Sequence, residues 1–190
     1  MTPRRTNRLA WLMTLLTLCT FQAACERSAP EPDATTQRAA ATPAPKGFDD
    51  QGRPQISEAD RCAVCGMSVA MFPKFGSAIE TQDKKAYHFC NPGCMLRAWT
   101  WPERHLGHDH AHLGRAVVPD YFTGEFIDAS EARFVSGSDV LGPMGPAPVP
   151  LATEEDVKTF KARHGGDRTF RLKELTPATW EALSGKPVAP

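Results

Sequence analysis

The sequence predicts an α+β fold in which two small, related ββα-like lobes form one compact domain. A hairpin is predicted first, because strand-like segments at 75–80 and 86–89 flank a polar turn, and a helix follows from Pro92. Further strand-like segments precede a second helix that starts after Thr153. This repeated order of strands followed by one helix is the reason for expecting two similar lobes.

The first helix has clear start and stop signals. Asn91, Pro92 and Gly93 interrupt the second strand. Pro92 suits the first turn of a helix, where the backbone N–H that proline lacks would have no partner within the helix. The helix is expected to carry Cys94 and to end before Pro102.

The second half of the chain repeats the pattern with different signals. The segment 121–128 is predicted to be strand with a turn at Gly124, and 132–135 is another strand candidate. Thr153 is expected to cap the second helix in a capping box with Asp156, since a side chain at the third helical position can bond back to the cap.

Residues 1–24 are expected to be a lipoprotein signal peptide and not part of the fold. Three arginines precede an apolar run at 9–21, which is too short to span a bilayer and is typical of a signal-peptide core. Small residues directly precede Cys25, which is therefore the expected lipidation site. Cys19 suits that role less well, because bulky Leu18 precedes it. Cleavage at the same place without a lipid is the alternative.

The segment 25–55 is expected to be a lipid-anchored flexible linker, since it is rich in proline, alanine, threonine and charge and cannot form a core. The metal-binding domain is then predicted at 56–184, with lobes of approximately 56–112 and 113–184. A disordered tail is expected at 185–190.

Charge and motifs exclude several classes of function. The chain has 22 basic and 22 acidic residues, and removal of the leader leaves 19 and 22. With no basic patch, nucleic acid is not an expected partner. No segment after the leader is long enough to span a membrane. No Ser-His-Asp set, paired-carboxylate context or phosphate-binding loop is apparent, so no enzyme activity is predicted.

Four cysteines remain after Cys19 and Cys25, and all lie within 33 residues as one C-x2-C and one C-x3-C pair. These are Cys62, Cys65, Cys90 and Cys94. A structural disulfide framework would usually spread its cysteines, whereas such clustering is typical of a metal or redox site. Metal binding is the favoured interpretation, with structural disulfides and thiol redox chemistry as alternatives.

The methionines distinguish between two metals. Cu(I) is soft and prefers thiolate and thioether sulfur, whereas Zn(II) takes thiolate and imidazole and rarely methionine. Met67 lies in the same short segment as Cys65, and Met144 lies between proline and glycine in a loop. Both are candidate Cu(I) ligands, while Met71 and Met95 are expected in the core. A closed set of four cysteines would instead favour zinc.

Two groups of histidines could supply nitrogen ligands. His88 is predicted on the same side of its strand as Cys90, with an ordinary surface histidine as the alternative. His108, His110 and His112 alternate along a polar loop. An extended loop would place these three on one face as a weak metal-capture site, and a solvated polar loop is the alternative.

Three stretches carry a resemblance to a known family: CAVCGMSVA at 62–70, YFTGEFIDASEARFV at 121–135 and GSDVLGPMG at 137–145. In this order and spacing they resemble the NosL family, the nitrous oxide reductase accessory lipoproteins. The resemblance covers roughly 56–175.

The resemblance implies a periplasm-facing bacterial lipoprotein, held at the inner or outer membrane, that binds Cu(I). It implies delivery of copper to an ABC-transporter assembly complex and maturation of nitrous oxide reductase in denitrification. By the same resemblance, Cys65, Met67 and Met144 are the expected copper ligands. It also implies the α+β fold of two related lobes.

The chain departs from the family pattern in two places. Many members have a histidine or similar polar residue after the Pro-Met-Gly loop, where Pro146 stands in this chain. The pair Cys90 and Cys94 resembles half of a TRASH-type metal knuckle and adds two thiols. The expected metals are therefore Cu(I) and possibly Zn(II). A structural zinc lipoprotein and, in last place, a thiol-disulfide oxidoreductase remain the alternative functions.

Overall fold

The computed structural model describes residues 41–44 and 47–188. The expected signal peptide 1–24 and the expected lipidation site Cys25 lie outside the described residues. The described chain is a mixed helix and sheet domain, which confirms the predicted α+β class. None of its helices has the length and apolarity needed to cross a membrane.

The strands and helices alternate along the chain in short elements. The strands are β1 Ser77–Thr81, β2 Ala86–Phe89, β3 Leu113–Pro119, β4 Phe126–Asp128, β5 Arg133–Ser138, β6 Leu141–Gly142, β7 Gly145–Pro146, β8 Val149–Leu151 and β9 Gly165–Phe170. The helices are α1 Pro92–Thr100, α2 Pro102–Leu106, α3 Glu154–His164 and α4 Trp180–Ser184, and 3-10 turns lie at His110–His112 and Leu172–Glu174.

The first sheet is antiparallel with the order β2-β1-β3-β4. The predicted hairpin of β1 and β2 is confirmed, with Ser77 opposite Phe89 and Glu80 opposite Ala86. In the turn between them, Lys84 adopts a left-handed backbone with φ of 62°. Helix α1 follows β2 directly, and its inward side chains, including Met95 and Leu96, are fully buried.

The second sheet has the order β8-β5-β9, and β5 connects the two parts of the core. Successive side chains of a strand point to opposite faces. Phe134 therefore joins the large core cluster, stacked on Phe170 with ring centroids 5.5 Å apart. Val135 joins a smaller cluster beneath α3, which contains Val157 and Phe160.

The division between the sheets differs from the expected lobes 56–112 and 113–184. Strand β3 pairs with β1, and β4 pairs with β3, so both belong to the first sheet. The physical reason is burial: β1 needs a partner on each side, and Val117 and Val118 of β3 are fully buried there. The second sheet begins only with β5.

Parts of the expected linker and tail contact the domain. The backbone N–H of Ala44 donates to the carbonyl of Ala86 at 2.7 Å, and Ala86 returns the bond at 3.2 Å. Ala44 lies within the expected linker 25–55. In the expected tail, the carbonyl of Pro187 accepts hydrogen bonds from the side chains of Arg97 and Trp180.

Replacement of Thr153 by alanine should destabilise the domain by about 1 kcal/mol, since the threonine caps α3. Its hydroxyl accepts the backbone N–H of Asp156 at 3.1 Å, and the Asp156 carboxylate accepts the Thr153 N–H at 3.1 Å. Urea unfolding followed by circular dichroism measures the change. Thr159→Ala makes the same chemical change inside the helix, where alanine is the better helix former. An equal loss in both variants would contradict the capping role.

Candidate metal centre

The segment that carries Cys62 and Cys65 is a tight turn held by its own backbone. The N–H of Cys62 donates to the carbonyl of Met67 and the N–H of Gly66 to the carbonyl of Cys62, both at 2.8 Å. Gly66 has φ of 79°, a conformation that glycine adopts without strain. The N–H of Ala63 donates to the carbonyl of His88 at 3.0 Å, which fixes this turn against the end of β2.

The second pair of cysteines is positioned by the start of α1. Cys90 follows β2, and Cys94 lies in the first helical turn. The Asn91 side chain caps the helix by accepting the N–H of Cys94 at 2.9 Å. Its Nδ2 also lies 3.4 Å from the sulfur of Cys90 and 3.7 Å from that of Cys94. Asn91 thus orients both thiols, a role that was not predicted from the sequence although asparagine is a preferred N-cap residue.

The two pairs come together in space. The sulfur atoms of Cys62, Cys65, Cys90 and Cys94 all lie within 4.8 Å of one another. The sulfur of Cys90 is 3.5 Å from that of Cys65 and 3.9 Å from that of Cys94. Sulfurs around a tetrahedral ion with 2.3 Å bonds are separated by about 3.8 Å, so this cluster needs little contraction to hold one ion.

All four thiols are free, so the disulfide alternative is not realised among the described cysteines. Among residues 41–44 and 47–188, the four cysteines are the group in which at least three donor atoms of His, Cys, Asp or Glu lie close enough together to hold an ion. Cys62, Cys90 and Cys94 are buried, whereas Cys65 is half-buried. Access to the sulfurs is therefore through Cys65.

The thiols compete for negative charge. Contact with the Cys90 thiol holds the pKa of Cys62 far below its usual value, and contact with Cys94 lowers the pKa of Cys65 to about 7. Contact with Cys62 in turn raises the pKa values of Cys90 and Cys94. The cluster thus favours ionisation of the C-x2-C pair and opposes ionisation of Cys90 and Cys94, because like charges repel. A bound cation would offset that repulsion.

The methionines lie in different environments. Met67 is half-buried and packs against the large core cluster, and Met95 is fully buried, as predicted. Met144 lies in the turn between β6 and β7 and is 48% exposed. The prediction for Met71 is wrong: this side chain is 72% exposed, because it lies in a turn before β1 and not in a regular element.

His88 is brought to a different position from the thiols. The side chain is buried, and its Nδ1 lies 3.2 Å from a carboxylate oxygen of Asp60 without the alignment of a hydrogen bond. Burial lowers the pKa of His88, and the nearby Asp60 charge partly opposes that effect. The nitrogens of His88 are not among the atoms that converge with the four sulfurs.

The segment that follows the Met144 hairpin lies near the cysteine helix. A Cβ atom on Gly93, in the first turn of α1, would lie 3.4 Å from the ring of Pro148, four residues after Met144. This segment is thus close to the start of the helix that holds Cys94. The proximity has no signal in the sequence, because no local pattern reports a contact between segments about 55 residues apart in the chain.

Comparison with known proteins gives consistent matches. The chain is 36% identical over 128 residues to the copper-binding lipoprotein NosL of Stutzerimonas stutzeri. The aligned segment covers 64% of each chain. This chain therefore spans slightly less than two thirds of that relative's length. Among solved structures, the copper chaperone NosL from Shewanella denitrificans matches with a TM-score of 0.56 and 26% identity, covering 65% of this chain and 94% of that chain.

The family model named NosL matches residues 53–180, which include the four clustered cysteines, strands β1 to β9 and helices α1 to α3. That match extends over well more than half of the chain. The resemblance noted in the sequence is thereby confirmed, and the chain belongs to the NosL family.

Proposed function

We propose that this protein is a Cu(I)-binding metallochaperone and has no catalytic activity of its own. The observation that carries the proposal is the convergence of four free thiols within 4.8 Å, with Cys65 on the open side. Thiolate sulfur is the ligand class that Cu(I) prefers. The copper-binding names of the relatives from Stutzerimonas stutzeri and Shewanella denitrificans support the same metal.

The site would combine buried ligands with ligands that a partner protein can reach from solvent. Cu(I) needs only two or three sulfurs, and the cluster offers four. Cys65 is the ligand for exchange, because a partner can approach it from solvent, whereas Cys62, Cys90 and Cys94 are enclosed. Met67 and Met144 are proposed as thioether donors on the open side. Their weaker bonds would allow the ion to leave for a partner. His88 lies apart from the sulfurs and is not included.

One specific observation favours a second candidate, a structural zinc site. Four cysteine sulfurs at near-tetrahedral spacing are the usual environment of structural Zn(II). A zinc ion held by all four thiolates would stabilise the fold and would not be passed on. A thiol-disulfide oxidoreductase is not supported, since Cys62 and Cys65 lie in a turn and not at the start of a helix.

The family resemblance supports a proposal for the cellular role. We propose that Cys25 carries a lipid, which would anchor the protein to a bacterial membrane with the domain facing the periplasm. Copper would pass from the thiol cluster to an ABC-transporter assembly complex and onward to nitrous oxide reductase. The linker after Cys25 would allow the domain to reach that partner.

Competition between the two metals tests the proposal. Native mass spectrometry of the reduced protein with equal Cu(I) and Zn(II) should show one retained Cu(I). Cys65→Ser should lower Cu(I) retention by about tenfold or more, since one sulfur donor is lost. Met67→Ala and Met144→Ala should weaken retention by smaller factors. Met71→Ala is the matched control, because it also removes an exposed thioether. Preferential zinc retention, unaffected by Met67→Ala and Met144→Ala, would exclude the copper function.

Thiol alkylation tests which sulfur is accessible. In the reduced, metal-free protein at neutral pH, iodoacetamide should modify Cys65 first. This thiol is half-buried and its pKa is lowered to about 7, so its thiolate fraction rises as the pH increases through 7. Peptide mapping by mass spectrometry gives the rate for each cysteine. Addition of one equivalent of Cu(I) should protect Cys65. Equal rates at all four cysteines would contradict the one-sided access.

Delivery is tested in cells that express nitrous oxide reductase. Replacement of the native gene by the Cys65→Ser variant should lower the copper content of the purified reductase severalfold, while the amount of reductase polypeptide stays constant. Met71→Ala should leave the copper content unchanged. If the Cys65→Ser strain produces fully copper-loaded reductase, delivery to this enzyme is not the function of the protein.

A further inference from the structure

A second group of metal-binding side chains lies outside the thiol cluster, in the loop before β3. The loop of His108, His110 and His112 does not take the extended path that would place all three side chains on one face, because His110–His112 form a 3-10 turn. This turn stacks the rings of His108 and His112 face to face, with centroids 4.0 Å apart and an interplanar angle of 21°. His110 turns away and contacts the ring of Trp99.

Backbone hydrogen bonds hold this histidine pair against the turn between β1 and β2. The Asp109 carboxylate accepts the N–H of His112 at 3.2 Å, which caps the 3-10 turn. The N–H of Gln82 donates to the carbonyl of His112 at 3.0 Å, and the Gln82 side chain donates to the carbonyl of Leu113 at 2.8 Å. The two turns are therefore fixed to each other.

The turn between β1 and β2 contributes a carboxylate to this pair. Oδ1 of Asp83 lies 3.9 Å from Nε2 of His112. The other oxygen of Asp83 pairs with Lys85 at 2.7 Å, and the hydroxyl of Thr81 donates to Oδ1 at 2.6 Å. These contacts, the Lys85 ammonium first, lower the pKa of Asp83 to about 2, so the carboxylate is charged at neutral pH.

We propose that His108, His112 and Asp83 form a second metal site, selective for divalent cations of the borderline class such as Zn(II) and Cu(II). Two imidazoles and one carboxylate are a nitrogen and oxygen donor set, which suits these ions and not Cu(I). The site is therefore chemically distinct from the thiol cluster and goes beyond the proposed copper function.

Binding requires the side chains to move, because the donor atoms of His108, His112 and Asp83 are not gathered as closely as those of the four cysteines. The two stacked imidazoles must turn, since each ring binds a metal through a nitrogen lone pair that lies in the ring plane. A nitrogen and an oxygen bonded at about 2.0–2.2 Å to a tetrahedral ion lie roughly 3.4 Å apart, about 0.5 Å closer than the present separation of His112 and Asp83. The side chains of both residues are partly open to solvent, at 33% and 43% exposure. The surface pair with Lys85 offers little resistance, because exposed ion pairs contribute little free energy.

The expected order of affinity follows from the donor set. For a site of imidazole and carboxylate ligands, Cu(II) binds more tightly than Ni(II) or Zn(II). Three donors leave further coordination positions to water. The ion would then be held reversibly at the surface, in contrast to an ion enclosed by the buried thiols.

The test is a Zn(II) titration of the full, reduced, ¹⁵N-labelled chain, followed through the histidine ring nitrogens by NMR. One equivalent fills the thiol cluster if that cluster takes zinc, and the next equivalent should shift the signals of His108 and His112. The signals of His110 and His164 should remain in place. If the thiols take no zinc, the first equivalent already shifts the histidine pair, so failure of either site is recognised separately.

Variants separate a built site from general chelation by a histidine-rich loop. His112→Ala and His108→Ala should each abolish the histidine-bound equivalent, and Asp83→Asn should weaken it by about tenfold. His110→Ala is the matched control and should bind as the unaltered protein does. Circular dichroism verifies that each variant is folded. Equal loss in His110→Ala and His112→Ala, or an absence of ring-nitrogen shifts at millimolar zinc, would overturn the proposal.

Discussion

The junction between β2 and α1 determines where the four sulfurs meet. Cys90 directly follows the strand and Cys94 lies in the first turn of the helix, and the side chain of Asn91 caps that helix between them. The hydrogen bond from Ala63 to the carbonyl of His88 brings the C-x2-C pair to the same point. Without this junction the two pairs would remain separate features of the sequence. Its burial next to the main core makes the position of the sulfurs a consequence of folding itself.

The same burial sets the electrostatic character of the centre. Hydrogen bonds between the adjacent thiols favour ionisation of the C-x2-C pair, and the resulting charge opposes ionisation of Cys90 and Cys94. The protein therefore holds the ligands close together at an electrostatic cost that a cation relieves. Cys65 lies at the boundary between this enclosed region and solvent. It is therefore held in place by the cluster and is still accessible to a partner. The histidine pair near Asp83 follows the opposite arrangement, with open side chains and nitrogen donors.

The sequence predicted what short-range chemistry controls. The hairpin, the helix that starts at Pro92 and the capping box of Thr153 all depend on neighbouring residues, and all are present. The cysteine spacing indicated a cluster but not that the two cysteine pairs meet, because their meeting depends on a contact between the Cys62–Cys65 turn and strand β2. The pairing of β3 with β1 crosses more than 30 residues and therefore has no local signature. The 3-10 turn in the histidine loop was not predicted, although its cap, the carboxylate of Asp109, directly precedes it in the sequence.

The two backbone hydrogen bonds between Ala44 and Ala86 affect self-association of the protein. Strand β2 ends the first sheet, and an uncovered outer strand offers free amide and carbonyl groups to any other chain. Ala44 engages both backbone groups of Ala86, and the charged side chains of Lys84 and Lys85 follow at the adjacent turn. The opposite end of the sheet is β4, only three residues long. This arrangement opposes edge-to-edge pairing of copies of the protein through the first sheet.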